Sequence, residues 1–246
     1  MALLMAVEMI FKFFRMKTLQ LLIICAGLMS CTSSIKTQHS ANKTSNVKPF
    51  YYLALGDSYT VGELVSNSSS WPMQLSKKIK ASGKDSVATT VIAKTGWRAD
   101  ELFNEAKNLE VEEKFDLITI QIGVNNQFQN KSISEFKASF LHLIELAMGK
   151  AKNGTNSIVI VSIPDYSVSP FADKMDKKKI KKEINEYNML CKEIAGQFEI
   201  KFINITDLSQ LAKNEPELFT KDKLHPAEKM YSMWTERIFS EIKESL

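Results

Sequence analysis

From Phe50 onward, short apolar runs alternate with amphipathic stretches. The runs are YYLALG at 51–56, SVATTVIA at 86–93, FDLITIQIG at 115–123, SIVIVSI at 157–163 and IKFINI at 200–205. Their Val, Ile and Thr content and near-continuous apolarity predict buried β-strands. Between and after them, helical periodicity covers 71–82, 99–110, 133–150, 177–198 and 226–244. In 133–150, for instance, Phe136, Phe140, Leu143, Ile144 and Ala147 fall on one face. Strand followed by helix, five times over, predicts an α/β domain with a parallel sheet covered on both faces. No internal repeat or second linker interrupts it, so 50–246 is expected to form one domain.

The first 49 residues read differently. In MKTLQLLIICAGLMSC, from Met16, Lys17 supplies a positive charge, Leu19 to Leu28 an apolar core, and Ser30 a small residue before Cys31. That core is too short for a membrane span, which takes roughly 20 apolar residues. The arrangement is that of a secretory signal. The tetrad Leu28-Met29-Ser30-Cys31 resembles the lipobox of bacterial lipoproteins, whose cysteine is acylated after cleavage. Residues 1–31 are therefore expected to be a signal peptide with a lipobox. Met16 is its expected start, and Cys31 the lipidation site. Residues 32–49 are polar and aperiodic, as in a flexible tether.

Charge changes meaning once split at Cys31. The formal net charge of +4 divides equally between the signal and the remainder, which carries 29 basic against 27 acidic residues. Such a balanced surface lacks the concentrated basic face that nucleic acid requires. At 44% hydrophobic and 24% charged, the chain is neither disordered nor a disulfide scaffold. Cys25 and Cys31 belong to the signal, which leaves only Cys191 and no intrachain disulfide. Cys191 shares a helical face with Ile184, Tyr187, Ile194 and Phe198, the position of a core thiol.

In open parallel sheets, ligands meet the carboxyl ends of the strands. There the sequence places Gly56-Asp57-Ser58-Tyr59, Lys94-Thr95-Gly96-Trp97, Gly123-Val124-Asn125-Asn126 and Pro164-Asp165-Tyr166, with Lys221-Asp222-Lys223-Leu224-His225-Pro226 opening the last helix. A serine nucleophile needs a base, and the base an orienting acceptor. Ser58 follows the first strand. His225 is the one histidine suited to be its base, because His39 lies in the tether and His142 on the solvated side of its helix. Asp222, three residues earlier, can accept the imidazole Nδ1 proton. The backbone N–H groups of Ser58 and Gly96 and the amide of Asn125 can meet an oxyanion. Each piece also has an ordinary reading: a Gly-Asp-Ser turn, an aspartate bonded to backbone near a helix start, a turn glycine, an asparagine satisfying local backbone.

Together, GDSY at 56–59, Gly96, GVNN at 123–126 and DKLH at 222–225 resemble, in order, the motifs of the GDSL or SGNH hydrolase family, over Tyr51 to about Glu236. The resemblance implies a three-layer α/β/α, flavodoxin-like fold and hydrolysis of esters or thioesters through an acyl-enzyme. It implies Ser58 as nucleophile, His225 as base, Asp222 as its partner, and Ser58, Gly96 and Asn125 as the oxyanion hole. Tyr59 stands where leucine is usual and Asn126 where aspartate often follows, which bears on pocket shape.

No cofactor is expected, and with three histidines no cluster has metal-ligand spacing. Segment 58–62 lacks the glycines of an FMN phosphate loop. The KMDKKKIKKE run at 174–183 reads as a solvated helix start. Tyr166 and Phe171 are expected to line a pocket or anchor a loop. The expected protein is an exported, lipid-anchored serine esterase acting on a small ester, an acylated glycan or a lysolipid. The rival reading is a surface lipoprotein that binds glycan or a partner with little turnover.

Overall fold

The computed structural model describes residues 48–246. The signal segment 1–31, with Cys31, and the tether up to residue 47 lie outside them. Five parallel strands form one sheet: β1 (Phe50–Gly56), β2 (Val87–Ala93), β3 (Leu117–Gln121), β4 (Ile158–Val161) and β5 (Lys201–Ile203), in the order β2-β1-β3-β4-β5. The register pairs Gly56 with Ala93 on one side and Gln121 on the other, so three strands end level at one rim.

Helices cover both faces. On one, α2 (Trp71–Ala81) packs against α8 (Glu228–Ile242), the final helix. On the other lie α3 (Ala99–Ala106), α5 (Ile133–Lys150) and α6 (Lys177–Gln197). This is the three-layer α/β/α architecture, with helices on opposite sides because the chain leaves β1 in one direction and β3 in the other. β3 and β4, buried along their whole length, and the buried Leu53, Ala54 and Leu55 of β1 are the apolar centre.

The amphipathic faces pack as their spacing requires. Phe136, Phe140, Leu143, Ile144 and Ala147 are buried on α5, and Ile180, Ile184, Tyr187, Cys191 and Ile194 on α6. The lysines of 177–182 stay on the outer side of α6, whose first turn is capped by Asp176 accepting from the Lys179 N–H. Burial pushes the Cys191 thiol well up, which keeps it protonated and inert.

Several boundaries differ from the sequence pattern. The run at 86–93 is not a buried strand but a half-exposed sheet edge, with Val91 38% exposed. Its β-branched residues satisfy strand propensity equally at an edge or a centre. The helix expected from 226 begins at Glu228, because Pro226 is held in an antiparallel bridge to Phe219. Three short helices carry no readable period: α1 (Ser58–Val61), α4 (Val124–Phe128) and α7 (Thr206–Leu211). Two of these build the rim where β1 and β3 part, the point at which such sheets hold ligands.

Candidate active site

Ser58 opens α1 directly after β1. Asp57 caps that helix, its Oδ1 accepting from the Tyr59 N–H at 3.0 Å. The turn is tight: a Cβ on Gly56 would collide with Thr60 and lie 2.7 Å from the Gln121 carbonyl. Glycine is therefore required by close approach at the residue that launches the serine. Beneath the turn, the buried Trp71 indole donates to Gln121 Oε1 at 2.9 Å, joining the start of α2 to the end of β3.

His225 reaches the same point from the loop before α8. Its Nε2 lies 2.9 Å from Ser58 Oγ, and its Nδ1 lies 2.6 Å from Asp222 Oδ2. Asp222 Oδ1 meanwhile accepts from Thr220 Oγ1 at 2.7 Å and from the Leu224 and His225 N–H groups at 3.0 Å. Burial would raise the Asp222 carboxyl, but the hydrogen bonds from the imidazole, the backbone and Thr220 hold it down at about 2. The carboxylate is thus ionised and acceptor-only, so Nδ1 carries the proton and Nε2 presents its lone pair to the serine. The Tyr59 ring, 5.6 Å from the imidazole and buried, walls it from behind.

Gly96 sits in a turn closed by the Trp97 N–H donating to Lys94 O at 3.2 Å, at φ +85°, a conformation that favours glycine. Sequence reasoning assigns Gly96 for lack of a side chain. The structure adds that a Cβ there would meet nothing within 4 Å, so the backbone angle is the local requirement. Residues of α4 and its C-cap fasten this turn. Asn125 Nδ2 donates to Trp97 O at 3.0 Å, Gln129 Nε2 to Gly96 O at 3.2 Å, and Asn126 Oδ1 accepts from the Ala99 N–H at 2.9 Å. Asn126, the departure from the usual motif, is buried and holds the start of α3.

Ser58, Gly96, Asn125 and His225 line one cavity of about 170 Å³, walled by Val124, Phe128, Tyr166 and Leu224. A larger depression of about 580 Å³ lies at the opposite strand ends, among residues such as Lys48, Lys84, Glu113 and Asp116, without a paired nucleophile. Tyr166 belongs to the pocket wall and is held by its hydroxyl donating to Gln127 Oε1 at 2.8 Å. Phe171 lies beside the pocket, not in its lining. His142 is exposed on α5, its ring beside Phe103, and is not among the residues that line the pocket. Among the described residues, no cluster of His, Cys, Asp and Glu could hold a metal ion.

Sequence reasoning missed Asp57 as more than part of a turn. Its side chain is buried, and burial pushes its carboxyl up to about 7 against the hydrogen bonds it accepts. The available signal was the helix-capping preference of aspartate immediately before Ser58.

The GDSL-like lipase/acylhydrolase family profile matches residues 54–233. The chain belongs to this family, and its reaction class is ester hydrolysis. Sequence comparison with curated proteins finds no match. Among solved structures, a lipolytic protein of the G-D-S-L family from Veillonella parvula is 19% identical, with TM-score 0.65, covering 80% of this chain and 99% of that one. A lipase/acylhydrolase from Enterococcus faecalis is 20% identical, TM-score 0.63, over 80% of this chain and 96% of that one. An acetyl xylan esterase from Geobacillus stearothermophilus is 16% identical, TM-score 0.63, over 78% and 94%. These likenesses establish the shared fold.

Proposed function

We propose that the protein is an exported, lipid-anchored serine hydrolase that cleaves carboxylic esters through an acyl-enzyme. The observation that carries the catalytic part is the unbroken chain from Ser58 Oγ to His225 Nε2 at 2.9 Å and from Nδ1 to Asp222 Oδ2 at 2.6 Å, at the edge of a pocket.

Ser58 Oγ attacks the ester carbonyl as its proton passes to His225 Nε2. The resulting oxyanion is met by the N–H groups of Ser58 and Gly96 and by one amide N–H of Asn125. The imidazolium is stabilised by the Asp222 carboxylate and returns the proton to the departing alkoxide, which leaves an acyl group on Ser58. Water then attacks that carbonyl, giving its proton to His225. Collapse, with the proton returned from His225 to Ser58 Oγ, releases the carboxylic acid and restores the serine.

Candidate substrates are a small ester, an acylated glycan or a lysolipid. The acetyl xylan esterase among the fold neighbours makes acetylated glycan a natural first test. A panel from acetyl to long-chain esters, read on the full chain and on Ser58→Ala, tests the reading. Hydrolysis of at least one ester, abolished in the variant, is expected; equal rates in both proteins contradict it.

Export and anchoring rest on the signal-like run from Met16 and the tetrad ending at Cys31. Cys31→Ser is expected to abolish incorporation of labelled fatty acid, and equal labelling of variant and parent contradicts a lipid anchor.

A further inference from the structure

Two of the three oxyanion donors named above, the Gly96 N–H and the Asn125 amide, depend on the turn at 94–97; the inference drawn from this rests on that reading of the site. Packing does little to hold the turn. Lys94 and Thr95 are exposed, Gly96 and Trp97 are half-buried, and a Cβ on Gly96 would meet nothing within 4 Å. Its position must come from hydrogen bonds. On the nucleophile's side, the Thr95 hydroxyl donates to the Glu63 carboxylate, and the Glu63 N–H donates to Ser58 O at 3.1 Å.

On the other side stands α4. Asn125 and the C-cap Gln129 lie one helical turn apart, with the Gln129 N–H donating to Asn125 O at 3.0 Å. Their side chains meet successive carbonyls of the turn, Asn125 at Trp97 O and Gln129 at Gly96 O. Asn125 keeps its second amide hydrogen for the oxyanion. A drift of the turn would therefore redirect that hydrogen and carry the Gly96 N–H with it. Gln129 is not among the pocket-lining residues, so its bond to Gly96 O is a tie and nothing more. Its amide can face only one way. Gln129 Oε1 accepts from Arg98 Nη1 at 2.7 Å, which leaves Nε2 for the carbonyl. Arg98 is itself fixed by a two-pronged pair with Asp100, from Nε to Oδ1 at 3.0 Å and from Nη2 to Oδ2 at 2.9 Å.

We propose that Gln129, oriented by Arg98, is a positioning residue for the oxyanion hole, locking the Gly96 turn to the helix that carries Asn125. Losing one oxyanion donor outright costs about 10²–10³ in rate, and misplacing a reacting group by 1 Å costs up to about 10². Without Gln129 the bonds from Glu63 and Asn125 still hold the turn, so the loss should be partial, about tenfold in kcat. KM should stay within about twofold, because the oxyanion exists only in the transition state. The exposed Gln129 side chain should matter little to folding.

The test measures kcat and KM for 4-nitrophenyl acetate, with a thermal melt, on the full chain and on Gln129→Leu, Gln129→Glu and Ser58→Ala. Gln129→Leu is expected to lose about tenfold in kcat at nearly parental KM and Tm. Gln129→Glu separates the tie from a merely structural role: its carboxylate keeps the bond from Arg98 but has no hydrogen for Gly96 O. It should lose at least as much as Gln129→Leu. Arg98→Met added to Gln129→Leu should cost little further, since Arg98 acts through Gln129. Parental kcat in either Gln129 variant overturns the proposal. So does a loss confined to KM, a kcat loss matched by loss of folded protein, or a full further loss on adding Arg98→Met. Ser58→Ala keeps the two readings apart. If it is inactive while Gln129→Leu turns over normally, the positioning role alone fails. If it is as active as the parent, the nucleophile reading fails and the positioning role with it.

Discussion

Replacing Asp222 by asparagine changes one atom and reverses the proton logic of the site. The carboxylate meets four donors: three at Oδ1, from Thr220, Leu224 N–H and His225 N–H, and the imidazole at Oδ2. Asparagine has one oxygen. With that oxygen turned to the three donors, its NH₂ faces His225 Nδ1. The ring must then carry its proton on Nε2, where it points at Ser58 and can accept nothing. The opposite flip sets the NH₂ against two backbone N–H groups, each costing about 1 kcal/mol at this partly open site. The preference for the unproductive tautomer is then about 2 kcal/mol, or roughly thirtyfold. Loss of the carboxylate also removes about 2 kcal/mol of attraction for the imidazolium once solvent screening is allowed for, roughly another thirtyfold. Together, kcat should fall about 10³-fold, approaching the roughly 10⁴ seen for this exchange in serine-protease triads. Three hydrogen bonds persist, so Tm should move by no more than a few degrees. Steady-state hydrolysis of an acetyl ester beside a thermal melt reads both quantities. A folded Asp222→Asn protein keeping more than about a tenth of parental kcat would refute the tautomer argument.

Asn125→Ala should lower kcat by at least about a hundredfold with KM little changed. Losing its bond to Trp97 O costs about 1 kcal/mol, or about 2–4 °C in Tm; normal turnover in a folded variant would remove Asn125 from the oxyanion hole. Asp57, raised to about 7, holds a proton in the folded state that the unfolded chain gives up near 3.9. Its contribution to stability is therefore greatest below about pH 4 and declines as pH rises through about 7. Melts of Asp57→Asn from pH 4 to 8 should show a gain over the parent that grows with pH, and a constant difference would contradict the assignment.

The strand–helix alternation was legible because β1, β3 and β4 are buried on both faces, which forces continuous apolar runs, and because α5 and α6 each bury a single stripe. The edge position of β2 was not, since Val and Thr suit either environment. Ser58, Gly96, Asn125, Asp222 and His225 could be singled out because each follows a strand or precedes a helix in a recognisable short motif. The pocket walls were legible only in part: Tyr166 could be placed near the rim because it follows β4, whereas Phe128 belongs to a five-residue helix, too short for any period to show. The burial of Asp57 was hidden as well, because it arises from packing by distant parts of the chain. Asn125 was legible as an amide at the rim, but not its bond to Trp97, which joins α4 to a turn 28 residues earlier.

The central claim is that Ser58 is the nucleophile. Treating the full chain with a fluorophosphonate, digesting it and locating the adduct by mass spectrometry tests that claim directly. A single adduct on the peptide containing Ser58, lost in Ser58→Ala and strongly slowed in His225→Ala, is the result this account predicts. An adduct on another serine, or labelling of Ser58→Ala at the parental rate, would contradict it.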